Sequence, residues 1–147
     1  MPEKSTVNRA KKDKRQGKAP STQAGEFVKE EIEHIRQRKH GARSTKQAIA
    51  IGLSKARRAG VKLPPPAKGK ASSKTRKQAA LDVQKGKSAT NKKSATRAKA
   101  VSKALKREGH SAATTTALSR QATSAAKGRS TASRSRSARK AAKTRSH

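Results

Sequence analysis

Forty Lys or Arg residues stand against eight Asp or Glu, and this excess of 32 positive charges constrains the fold of the 147-residue chain more than any other feature. Compaction brings like charges together, so apolar burial has to offset the repulsion. The chain offers little material for that. Leu, Ile, Val and Phe number 15, with a single Phe and neither Tyr nor Trp. Such residues make up about a tenth of the chain, against the roughly 20% below which a highly charged sequence stays disordered. The 27 alanines carry helix propensity but only small side chains. The expectation is a mostly disordered chain with all-α elements rather than a single globular core. No apolar run approaches the ~18 residues of a membrane span and no apolar stretch follows the N-terminus, so neither a transmembrane nor a visibly secreted chain is expected. With no cysteine, disulfides, thiolate metal sites and thiol nucleophiles are excluded together.

Composition divides the chain in three. Residues 1–25 read as a basic flexible arm, with seven Lys/Arg against Glu3 and Asp13. The Lys11–Arg15 cluster has the make-up of a nuclear-import signal, and equally of any solvated basic tail. Residues 26–63 read as a helical hairpin module and hold nine of the 15 large apolar residues and four of the eight acids. Val28, Ile32 and Ile35 fall at helical spacing beside Phe27. Glu26, Glu30, Glu31 and Glu33 are placed in the first turns, Arg36, Arg38, Lys39 and His40 in the last, as the macrodipole favours, and Gly41 is the expected left-handed C-cap.

Ser44 to Gln47 matches a capping box before Ile49, Leu53 and Ala56. Gly60 offers the next C-cap, Val61 and Leu63 can fold back over the apolar seam, and Pro64–Pro66 ends the module. The spacing predicts a short antiparallel hairpin, about 24–40 and 44–59. Residues 64–147 read as a low-complexity Lys/Arg/Ala/Ser tail. Weak Ala/Lys-rich helices begin there near Ser72, Ser94 and Thr114 and end at Gly86, Gly109 and Gly128. They are expected to be mostly coil until a polyanion relieves their repulsion.

Polyanion binding is the function this charge favours. With one phosphate per ~1.7 Å of duplex, the net charge can match at most about 54 Å of DNA. The candidate phosphate contacts are Arg43, Lys46, Lys55, Arg57, Arg58, Lys62, Lys99, Lys103, Lys106, Arg107, Arg120, Arg134, Arg136, Arg139 and Lys140. Zinc-finger ligands, basic-zipper heptads and RNP aromatics are missing, so base readout is not expected. Duplex DNA is the first partner and RNA the second, because single-strand readers stack bases on aromatic rings. No membrane partner is expected, since the tail lacks a broad apolar face.

Chemistry has little to stand on. Glu30 and Glu33 lie near His34 in sequence, but there is no H-E-x-x-H, His40 has no evident partner, and the helix dipole explains the acids. No catalytic residue, metal or cofactor is expected. The acids could instead pair with the basic tail and compete with DNA. The faces carrying Val28, Ile32, Ile35, Ile49 and Leu53 suit internal packing, a homodimer or a docked protein. Ser133–Ser137 alternates Arg and Ser like a short splicing-type segment, within a stretch of ordinary tail composition.

Gly25–Arg36 and Lys39–Gly60, about 40 residues, resemble the core of a family of small basic bacterial proteins of unknown function, loosely described as DNA-binding. The stretches Lys103–Gly109, Ala117–Ala122 and Ser137–Arg145 are similar to tails in that group and to the Lys/Ala-rich tails of linker histones. The resemblance implies a bacterial cytoplasm and nucleoid (a nucleus in a eukaryote) and brings no catalytic residue. The expectation is a non-enzymatic, histone-like, nucleoid-associated protein that neutralises and compacts or bridges DNA. An RNA- or ribosome-associated protein and a protein-docking adaptor are the alternatives.

Overall fold

Hydroxyl side chains start five helices. Ser44, Ser72, Ser94, Thr114 and Ser130 each accept a hydrogen bond from the backbone N–H three residues on, satisfying an amide that the helix leaves without a partner. The computed structural model describes residues 1–88 and 94–146. Among these residues there are seven α-helices: α1 (Lys4–Arg15), α2 (Pro20–Arg36), α3 (Thr45–Arg58), α4 (Ser73–Lys87), α5 (Ala95–Lys106), α6 (Thr115–Lys127) and α7 (Thr131–Arg145). A 3-10 turn, Ser111–Ala113, precedes α6.

The chain is therefore not mostly disordered. It is all-α, and the supposed flexible arm contains α1 and the start of α2, while the supposed coil of the tail contains α4 to α7. The physical reason lies in what counts as core. Among the described residues 12 apolar side chains are buried, and eight of them are alanines: Ala10, Ala24, Ala42, Ala48, Ala56, Ala79, Ala112 and Ala113. Small side chains let helix backbones approach closely, so apolar surface is buried without large residues.

Two clusters form this core. In one, Ile32 and Ile35 of α2 meet Ala42, Ala48, Ala112 and Ala113, with Val28 and Leu118 against them. In the other, Ala24 and Phe27 of α2 meet Ala10 of α1, Ala56 of α3 and Val61, with Val7, Leu53 and Leu63 alongside. Early α2 thus meets late α3 and late α2 meets early α3, which makes the pair antiparallel. Val61 and Leu63 fold back as their position after Gly60 predicts. At the crossing, a Cβ on Gly52 would lie 2.7 Å from Val28 Cα, so only glycine allows this spacing.

The tail is tied to the hairpin by backbone. Gly41 N–H donates to Leu105 O and Ala42 N–H to Gly109 O, both at 2.9 Å. Arg36 Nε donates to Ala113 O (2.9 Å) and Thr45 Oγ1 to Ala112 O (2.7 Å). A Cβ on Gly41 would lie 2.0 Å from Glu108 O. Gly41 is thus a seat for the returning chain rather than a left-handed cap; α2 ends earlier, and Arg38 takes the left-handed conformation at φ 57°. On the other side α4 is anchored to α3 through the buried Asp82. It accepts from Ser54 Oγ and Arg58 Nε, both at 2.7 Å, and from Gln78 Nε2 at 3.2 Å.

Candidate nucleic-acid interface

The few acids are largely engaged in ion pairs within the chain. Glu26 pairs with Arg9 at 2.6 Å, Asp13 with Lys18 at 2.7 Å and Asp82 with Arg58 at 2.7 Å. Glu3 pairs with His34 at 3.0 Å and Lys39 at 3.5 Å. Its hydrogen bond from His34 holds the Glu3 carboxyl below the usual carboxylate range, and Glu26 in turn raises the Arg9 guanidinium. The α2 acids are not where the dipole argument placed them. α2 begins at Pro20 and has no acid in its first turn. Glu30 and Glu31 face inward and pair with Lys55, so they are not a patch offered to the tail.

Three of the candidate phosphate contacts have such internal partners. Lys55 lies between Glu30 and Glu31. Arg57 is 7% exposed; its Nε donates to Leu63 O and its Nη2 to Pro64 O, both at 3.3 Å, clamping the proline loop. Burial lowers its pKa from the ordinary arginine value. Arg58 holds Asp82. Nothing in sequence separates these from free cations, because their partners lie on other elements or on backbone carbonyls.

The structure gathers three others. Arg43, Ser44 and Lys46 at the start of α3 line one groove with Thr114 and Thr116 at the start of α6 and Arg120 in its second turn. Two helix N-termini therefore open onto the same groove, each with a positive dipole end. Ser44 Oγ accepts from Gln47 N–H at 3.2 Å, while Gln47 Oε1 accepts from Arg43 N–H at 2.7 Å. The capping box is thus shifted one residue from its usual reciprocal form and fixes the backbone that carries Arg43 and Lys46.

The remaining candidates are exposed on helices or at their ends. Lys62 follows α3. Lys99, Lys103 and Lys106 share one face of α5 at i, i+4 and i+7, with Arg107 at its C-cap. Arg136, Arg139, Lys140 and Lys143 make a comparable stripe on α7, and Arg134 lies beside them. Lys143 completes that stripe at i+7 from Arg136 and was findable from spacing alone. The residues named for a docking interface are placed inward: Ile32 and Ile35 lie in the core, Val28 and Leu53 pack against it, and Ile49 is half-buried. Among the described residues no helix is long and apolar enough to cross a membrane.

Residues 3–68 match the sequence profile of a family of unknown function (DUF6496), a span that takes in α1, α2 and α3. No curated protein and no solved structure matches the chain.

Proposed function

We propose that this protein binds duplex DNA through its phosphates, without catalysis and without base readout, and neutralises and bridges it at the bacterial nucleoid. The observation that carries this reading is the groove where two helix N-termini meet Arg43, Lys46 and Arg120. A phosphate there receives amide N–H groups, two dipole ends and guanidinium or ammonium donors at once. The cationic stripes on α5 and α7 extend the footprint. Cations presented from a helix lose less freedom on binding than cations on a coil, which favours a structured binder over a merely sticky tail.

Fluorescence anisotropy against length-matched DNA duplex and structured RNA, at several salt concentrations, tests the proposal. The expected result is tighter binding to duplex DNA with a steep negative salt slope. Joint replacement of Arg43, Lys46 and Arg120 by Gln should reduce the magnitude of that slope by about 3, roughly one per lost phosphate contact, with circular dichroism unchanged. Equal or tighter RNA binding would transfer the same surface to RNA. A slope near zero for both would overturn phosphate binding altogether.

A further inference from the structure

Two neighbouring carboxylates on α2 are buried beside Lys55. Glu30 is 2% and Glu31 1% exposed. Lys55 Nζ stands 3.6 Å from Glu30 Oε1 and 2.5 Å from Glu31 Oε2, an ion pair with both, and Glu30 Oε2 accepts from Glu3 N–H at 3.1 Å. The other Glu31 oxygen, Oε1, faces His40 Nε2 at 3.1 Å. His34, one turn along α2 from Glu31, lies edge to face with His40, their ring centroids 6.0 Å apart. One ligand atom from each of Glu31, His34 and His40 lies within 4.8 Å of the other two.

We infer that Glu31, His34 and His40 form a binding site for a divalent transition-metal ion, with zinc the best match to the donors. Two imidazoles and a carboxylate are a borderline N/O donor set of the kind zinc takes. Zinc bonds of about 2.0–2.2 Å place tetrahedral ligands about 3.3–3.5 Å apart, close to the His40–Glu31 separation. Each imidazole is already oriented by an acceptor at one nitrogen. His40 Nδ1 is 3.1 Å from Gly41 O, and His34 Nε2 is 3.0 Å from Glu3 Oε1. A carbonyl and a carboxylate only accept, so both of these nitrogens carry protons, the pattern that holds metal-ligating imidazoles in place.

His40 Nε2 and Glu31 Oε1 thus face each other at a spacing that one ion can bridge. Sequence spacing hid the site because its members span the body of α2 and the loop after it. A bound ion would clip the end of α2 to that loop and, through Glu3, to the start of α1.

The test uses the full chain, stripped with chelator and titrated at about pH 8 without nucleic acid, so that its outcome is independent of DNA binding. Cobalt(II) should bind one ion per chain with the visible absorption of a tetrahedral site, zinc should displace it, and zinc should raise the melting temperature. His34→Gln and His40→Gln, both at partly exposed positions, should each weaken uptake at least about tenfold while keeping the helical dichroism. His110→Gln should leave uptake unchanged. A chain that takes up neither ion, or takes them up equally well without His34 and His40, overturns the assignment.

Discussion

Arg38 occupies at φ 57° the same place that Gly17 (70°) and Gly60 (90°) occupy after α1 and α3. All three helices close in one pattern, in which paired backbone bonds run back into the last turn. After α2 these are Arg38 N–H to Ile35 O (3.1 Å) and Lys39 N–H to His34 O (3.0 Å); after α3 they are Gly60 N–H to Arg57 O (3.0 Å) and Val61 N–H to Ala56 O (3.1 Å). A left-handed conformation costs an L-residue about 1–2 kcal/mol, whereas glycine adopts it freely and loses part of that gain to its more flexible unfolded state. Arg38 is exposed and forms no ion pair among the described residues, so its side chain offers little to lose. Arg38→Gly should therefore stabilise the protein by about 0.5–1 kcal/mol, read as a higher urea midpoint at unchanged slope. An unchanged or lower midpoint would show that the arginine side chain does more than occupy the cap. Gly60 as a cap was legible in the sequence because the signal is local. Gly41 was misread because what fixes it, the carbonyl of Glu108, lies far along the chain.

Pairing of α2 with α3 was legible in their apolar spacing and in the Ser44 cap, both local signals. Where α2 begins was not. The apolar stripe starts at Phe27, but the helix starts at Pro20, in a stretch anchored by buried Ala24 and by Gln23, whose Nε2 donates to Lys18 O. That offset moved the acids from the first turn to the body of the helix and made Glu30 and Glu31 buried anchors for Lys55, Glu3 N–H and His40 rather than dipole partners. The crossing itself rests on Gly52. Replacing a mid-helix glycine by alanine ordinarily gains about 1 kcal/mol of propensity. Here the new Cβ would sit 2.7 Å from Val28 Cα, and overpacking against backbone costs about 1–3 kcal/mol. The second effect wins against an unyielding backbone atom, so Gly52→Ala should destabilise by up to about 2 kcal/mol on balance. Gly25 on α2 is the control: nothing lies within 4 Å of its Cβ, and Gly25→Ala should stabilise by about 0.5–1 kcal/mol. Urea denaturation of the two variants checks both signs, and equal effects would mean that α2 and α3 do not approach at Gly52.

The whole chain escapes the disorder that its charge and its shortage of large apolar residues imply because the count of large residues measures only one way of making a core. Alanine at helix crossings and buried ion pairs supply another, and neither shows as periodic hydrophobicity. The same arrangement is uneven along the molecule. α1 to α4 all contribute buried residues, whereas α5, α6 and α7 bury none and rest on capping, alanine propensity and single ties, Gly41 N–H to Leu105 O for α5 and Leu118 against the core for α6. Isolated helices of this length are marginal in water. Their cations also have one acid among them from Ser94 onward, Glu108, so repulsion opposes them further. Native-state hydrogen exchange should therefore be slowest in α2 and α3 and fastest in α5 and α7, by opening free energies well below the global value. Saturating duplex DNA neutralises the stripe of Arg136, Arg139, Lys140 and Lys143, and should slow exchange in α7 while leaving α2 and α3 unchanged. The expected change is added protection of helices already formed, with little gain in helical dichroism. A large rise in helicity on binding would mean instead that α5 and α7 form only against DNA, and uniform slowing across all seven helices would mean that DNA acts by stabilising the core.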